Sequence, residues 1–168
     1  LRGGYDVAGA SRQRALLTTA AGLILWLLFL EQLGINARWE TLQAWQGHTS
    51  YKIATGSALA VFICFQWLLA FCRVNGWGRA AKALYPLHQT IGALGPALLF
   101  LHSTRIGFGY LVVLCGVFLA NNLLGLLNPS AFPRLRAVIS TWAIAHVALS
   151  ILLVALAGYH AWTALYYE

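Results

Sequence analysis

Charged residues in this chain are separated by long apolar stretches, and those stretches have the length of membrane crossings. A charge at mid-bilayer costs several kcal/mol and a helix needs about 20 residues to cross, so charge-free intervals mark candidate spans. Five helices are predicted on this basis, at about 15–34, 52–73, 83–103, 106–127 and 135–166. The third and fourth meet at a tight turn carrying Ser103, Thr104 and Arg105, which makes them a helical hairpin. The last contains an uncharged run, 137–167, longer than a perpendicular crossing, so it should tilt or project beyond the bilayer before ending in Tyr166 and Tyr167. Barrel strands would be shorter and would alternate polar with apolar positions, a pattern that does not occur. Asn75-Gly76-Trp77-Gly78 breaks the chain after the second helix, while Asn128-Pro129 and Pro133 end the fourth. Residues 36–50 form the only long predicted loop, with Trp39 and Trp45 suited to the headgroup level and His48 solvated.

Composition strengthens the membrane assignment. The 168 residues are 60% hydrophobic and 9% charged, and the four acidic residues are Asp6, Glu31, Glu40 and Glu168. With a mean hydropathy of +0.71, such a chain has too little anionic surface for a soluble globular fold and is too apolar for disorder. The expected class is therefore all-α, an integral membrane bundle of five transmembrane helices in a single domain, 1–168. The net charge of +7 would suggest nucleic acid if the basic residues formed a stripe, but they sit in short clusters between the spans. The expected surroundings are thus a lipid bilayer, with no nucleic acid partner.

The clusters also carry a topology signal. Five spans place Arg2, Arg12, Arg14, Arg73, Arg79, Lys82, Arg134 and Arg136 on one side and Arg38, Lys52 and Arg105 on the other. By the positive-inside rule the N-terminus is cytoplasmic and the C-terminus periplasmic, in a bacterial inner membrane. Cys64, Cys72 and Cys115 are isolated in apolar sequence without a CxxC or CxxCH motif, so covalent c-type haem is unsupported and each thiol reads as a small buried apolar side chain. Met is absent, which implies a start lost ahead of Leu1 and leaves a preceding segment or signal open.

Histidine carries the candidate chemistry. Four of the five lie inside predicted spans: His88 and His102 on the third, His146 and His160 on the fifth, each pair fourteen positions apart. Fourteen residues on a helix leave two side chains about 40° apart around the axis and about 21 Å apart along it. One span intervenes, so the third and fifth helices run the same way, which sets His88 level with His146 and His102 level with His160. Two facing imidazoles in a bundle are what a low-spin haem iron takes on its axial positions, so two b-type haems are expected, one toward each leaflet. Gly92 and Gly95 after His88, and Gly158 before His160, would let a flat macrocycle approach the backbone. Pro96 lies between the ligands of the third helix and should kink it.

The rival readings are core histidines hydrogen-bonded to neighbouring helices, or members of a proton relay. Ionisable residues in spans are rare and functional by default, and a proton path would call for carboxylates that no span interior supplies. A zinc site would find only two ligands in each pair. Arg105, three residues past His102, could neutralise propionates of the outer haem, with Lys52 and His48 on the same side, or simply anchor the interface. Arg79, Lys82, Arg134 and Arg136 could do the same on the inner side, or dock an acidic electron donor. Asn121, Asn122 and Gln66 could touch a haem edge or a quinone, or bond between helices. Trp26, Trp67 and Trp142 read as packing.

The two histidine pairs, on helices separated by one span, make residues 51–168 resemble the ferric reductase-like transmembrane domain of ferric reductases, NADPH oxidases and the haem subunit of bacterial methionine sulfoxide reductase systems. That resemblance implies axial roles for His88, His102, His146 and His160 and electron transfer across the membrane through two haems b. It departs in lacking a flavin- or nicotinamide-binding domain after the fifth helix, which implies separate electron donor and acceptor proteins, or a quinone, within a multi-subunit complex. The expected function is an electron-transfer subunit, with no bond-making active site legible. The alternatives are a self-contained quinol, ferric or oxygen reductase on the same haems, and a haem-free transport or structural protein.

Overall fold

The computed structural model describes residues 3–35, 37–127 and 139–167, with side chains described from 13–35, 37–127 and 141–166. Seven helices form there: α1 (Gly3–Ile35), α2 (Glu40–Gly47), α3 (Thr49–Val74), α4 (Gly78–Gly92), α5 (Gly95–His102), α6 (Tyr110–Leu126) and α7 (Ile139–Tyr167). No strand occurs among the described residues. Three helices are long and apolar enough to cross a membrane, over Gln13–Ile35, Thr49–Val74 and Thr141–Tyr166. The apolar α6 is shorter, about 26 Å at a rise of about 1.5 Å per residue. Leu17, Val61, Ile144 and Leu165 are all more than 60% exposed, an outer surface that suits hydrocarbon better than water. The break at Asn128-Pro129 and Pro133, the residues Arg134 and Arg136, and the expected start of the last helix at 135 lie outside the described residues, as does Arg2.

The structure differs from the expected helices at four places. The segment 83–103 is not one helix but two, α4 and α5, joined through Ala93 and Leu94. Pro96, near the start of α5 and fully buried, offers no N–H to the carbonyl four residues back, that of Gly92. That carbonyl instead accepts a hydrogen bond from Asn122 Nδ2 on α6 at 2.8 Å. Gly95 permits the approach, because a Cβ there would stand 2.7 Å from Asn122 Nδ2. The kink is thus held by an interhelical bond rather than left as a loose hinge.

Second, the expected helix 106–127 starts only at Tyr110, preceded by Gly109 at φ 58°. That left-handed backbone suits glycine and ends the irregular turn after His102. Third, the expected loop 36–50 contains α2, and α2 has a structural task. Gln46 Nε2 donates to the carbonyls of Phe100 and Leu101 at 2.9 and 3.1 Å, and Tyr51 donates its hydroxyl to Leu101 at 3.0 Å. These carbonyls sit at the C-terminus of α5, where helical partners run out, so α2 and α3 anchor the turn that bears His102. Fourth, α1 extends to Gly3, well before the expected start at 15.

Packing follows the connectivity. The α6 helix lies along α7, α3 along α4, and α1 against α5 and α6. Phe29, Phe62, Cys115, Phe118, Leu119 and Leu153 form the main core among α1, α3, α6 and α7, while Leu69, Cys72 and Ala81 join α3 to α4. Cys72 and Cys115 are buried as expected, but Cys64 is exposed, because it falls on the outward face of α3. Gly22 lets α1 close against Leu126, and Thr19 beside it donates to the Leu126 carbonyl at 3.3 Å.

Candidate functional site: two histidine pairs

His88 on α4 and His146 on α7 lie with ring centres 6.5 Å apart, their planes at 89°. His102 at the end of α5 and His160 on α7 lie 6.3 Å apart, at 77°. The α4–α5 segment and α7 therefore meet in the same order along the chain, which makes them co-directional. On the unbroken α7 the two histidines are about 21 Å apart along the axis. A metal bridging two imidazoles puts the ring centres about 6.2–6.4 Å apart, from metal–nitrogen bonds of about 2.0–2.1 Å plus about 1.1 Å from nitrogen to ring centre on each side. Edge-to-face ring contact alone spans about 4.5–7 Å, so distance does not decide the matter.

The groups beside the ring nitrogens add a second observation. At the second pair, Thr55 has one hydroxyl hydrogen, with the Tyr51 carbonyl at 2.8 Å as one acceptor. Thr55 Oγ1 lies 3.0 Å from His102 Nδ1. With its hydrogen on the Tyr51 carbonyl the hydroxyl accepts from Nδ1 and Nε2 is the lone-pair nitrogen; turned toward the ring it donates and Nδ1 holds the lone pair. At His160, Thr163 donates to the His160 carbonyl at 2.9 Å and shares a 2.9 Å hydrogen bond with the Tyr110 hydroxyl, which lies 3.3 Å from His160 Nδ1. Both rings of this pair thus have a hydroxyl of a neighbouring helix beside Nδ1, the position from which an accepting outer partner orients a metal-binding histidine and leaves Nε2 for the metal.

At the first pair His88 Nδ1 lies 3.2 Å from the backbone carbonyl of Gln66, which can only accept and so places the hydrogen on Nδ1. The Gln66 side-chain amide lies against the same nitrogen; turned to satisfy its other neighbours, it would donate to Nδ1 at 2.8 Å and to the His88 carbonyl at 3.2 Å. The two contacts make opposite demands on the hydrogen. Only the carbonyl's demand is fixed, since an amide side chain can turn by half a revolution. His146 Nδ1 is buried and makes no hydrogen bond of good geometry, although the Asn121 backbone approaches it. Its ring plane is set by Trp142, stacked at 5.7 Å and 8°.

This pair opens into a cleft among α3, α4, α6 and α7, walled by Phe62, Gln66, Arg73, Asn121, Asn122 and Phe118. Its empty space, open mouth included, is about 1010 Å³. Close packing is relieved at two glycines beside the rings: a Cβ at Gly125 would meet His146 Cε1 at 3.4 Å, and one at Gly56 would meet His102 Cε1 at 3.3 Å. Among the described residues no group of three or more His, Cys, Asp or Glu could hold a metal ion. From the described residues each pair offers a metal two imidazoles, so its remaining ligands would have to come from outside that set.

Of the other expected site residues, Gly92, Gln66, Asn121 and Asn122 line the cleft of the first pair. Gly92 faces Gln66 and gives its carbonyl to Asn122, Gly95 faces Asn122 and Phe118, and Gly158 has nothing within 4 Å of where a Cβ would be. Gly92 lines the cleft of the first pair, and Gly56 and Gly125 are the glycines set directly against a histidine ring. Arg105 is exposed after α5, on the rim of a shallow concavity with Gln46 and Thr104. His48 joins α2 to α3 and is exposed. Asn121 accepts from Ser150 at 3.2 Å, Trp26 donates to the Leu119 carbonyl at 3.2 Å and Trp142 to the Leu124 carbonyl at 2.7 Å. Thr55, Tyr110, Gly56 and Gly125 escape a one-dimensional reading, since each becomes relevant only through a helix distant in sequence. The one available signal was hydroxyl and glycine residues inside otherwise apolar spans.

No family model matches the chain. No curated protein and no solved structure matches it either.

Proposed function

We propose that this chain is an integral membrane dihaem cytochrome b, an electron-transfer subunit carrying electrons between the two membrane faces. The observation that carries this reading is the pairing of four span histidines at 6.5 and 6.3 Å, with hydroxyls of neighbouring helices beside Nδ1 of His102 and His160. His88 and His146 would hold one haem and His102 and His160 the other; the bound haems supply one-electron redox chemistry. The porphyrin nitrogens would complete a coordination sphere that two imidazoles alone leave unfinished.

In this reading α1, α3, the kinked α4–α5 pair, α6 and α7 make five spans, with the N-terminus cytoplasmic and the C-terminus periplasmic in a bacterial inner membrane. Eight basic residues on one side against three on the other support that orientation. Donor and acceptor are separate partners, and the resemblance to the ferric reductase-like family rests on the histidine pairs. The test is a pyridine haemochrome assay on the purified full chain. Two protohaems per chain and a low-spin spectrum are expected; colourless protein overturns the proposal.

The hydroxyl ring around His160 gives a finer prediction. Tyr110→Phe removes the hydroxyl beside His160 Nδ1, which in this reading accepts from it, while leaving the aromatic contact with Tyr159, at 5.0 Å, in place. A ligand that loses such an acceptor is a weaker base and stabilises ferric iron less. Redox titration of this variant should find both haems retained and one midpoint potential raised. Two unchanged potentials would show that Tyr110 only packs.

A further inference from the structure

We infer that Arg73 is an anion-binding residue of the first histidine cleft, taking a carboxylate of the porphyrin held by His88 and His146. The inference rests on the haem reading above and adds the group that orients the ligand within the cleft. Arg73 lies in the last turn of α3 and lines the cleft, where it is the one residue with a fixed charge. The rest of the lining is apolar side chains, amides, Ser150 and the two histidines, with no carboxylate among them. The described carboxylate side chains are Glu31, at the far end of α1, and Glu40, at the start of α2. Both precede α3, whose opposite end bears Arg73. Its recorded partner is instead the Tyr85 ring, whose centre lies 5.8 Å from the guanidinium carbon. Tyr85 in turn accepts from Gln89 Nε2 at 3.1 Å, so the platform under the guanidinium is itself held by a cleft residue.

Arg73 is exposed at the mouth of the cleft, and its planar fork matches a carboxylate with two parallel hydrogen bonds. The two flanking cations, Arg79 and Lys82 on α4, are exposed like Arg73 but do not line the cleft. Among the described residues Arg73 alone of the cations is therefore placed to select an anionic group on a ligand that enters between His88 and His146. A lipid phosphate is the competing source of anionic oxygen at this depth, and the experiment separates the two.

The test uses the purified full chain carrying His102→Ala, which isolates the first site, stripped of porphyrin and titrated with protohaem or with its dimethyl ester. Uptake is read from the low-spin Soret band. Esterification should weaken binding about ten- to hundredfold, the worth of a hydrogen bond to a charged group. Arg73→Gln should weaken protohaem binding by the same factor and make the site indifferent to esterification, whereas Arg73→Lys should recover part of the loss. If protohaem and its ester bind the unsubstituted site equally, or if the two losses multiply, the inference is refuted while the haem reading stands; the first result assigns Arg73 to lipid. A chain that takes up neither porphyrin refutes both.

Discussion

His88→Ala and His146→Ala are expected to remove one and the same haem, each lowering the ratio from two per chain to one, while His102→Ala and His160→Ala remove the other. In the proposed reading each site would have two protein ligands, so deleting either imidazole would take away half of the protein's hold on the iron. Replacements of mere outer-shell partners already cost about 10–100-fold in metal affinity, and loss of a ligand exceeds that. The ring distances of 6.5 and 6.3 Å assign the partners across α4, α5 and α7. Haemochrome stoichiometry gives the count, and redox titration identifies the survivor. His88→Ala and His146→Ala should leave the same midpoint potential behind; two different survivors would overturn the pairing.

Gly125→Leu and Gly56→Leu should reproduce those two losses without touching a ligand. A Cβ at either position already stands at 3.4 or 3.3 Å from the Cε1 atom of His146 or His102, so the branched end of a leucine must displace the ring or the helix. Overpacking of this kind costs about 1–3 kcal/mol in an ordinary core. Here the strain falls on an imidazole whose direction decides whether iron is held. Gly125→Leu should lose the haem of the first pair and Gly56→Leu that of the second, with the alanine variants retaining both. Haem content of membranes normalised to protein is the measurement. Full haem content in both leucine variants would mean that neither glycine borders a ligand.

The glycines also mark how far the one-dimensional pattern reaches. Gly92 and Gly95 stand near His88 in sequence; Gly92 lines the cleft opposite Gln66, while Gly95 packs against Asn122. Gly125 and Gly56 stand against His146 and His102 from other helices, where sequence proximity gives no hint. Arg73 shows the same limit. Charge counting treats it as one more cytoplasmic arginine, and only the fold sets it on the wall of the cleft rather than beside it.

Secondary structure failed in the sequence reading at definable points. A charge-free interval predicts where helix is affordable in lipid but not whether it is continuous. Pro96 splits the third interval because it frees the Gly92 carbonyl, and the split persists because Asn122 is in position to satisfy it. The spacing of α2 from the spans gave no reason to expect a helix there, since its stability comes from side chains that bond the end of α5.

The order of residues by itself determined the all-helical class, the membrane environment and the level of the histidines. Those properties depend on charge spacing, transfer free energy and helical rise, which act along one chain segment at a time. Tertiary structure alone decided which hydroxyl faces which ring nitrogen, which glycine leaves room and which arginine reaches the cleft. A hydrogen bond or a steric contact extends only a few ångströms, and the atoms it joins here, Thr55 with His102 and Tyr110 with His160, lie about fifty residues apart in the chain.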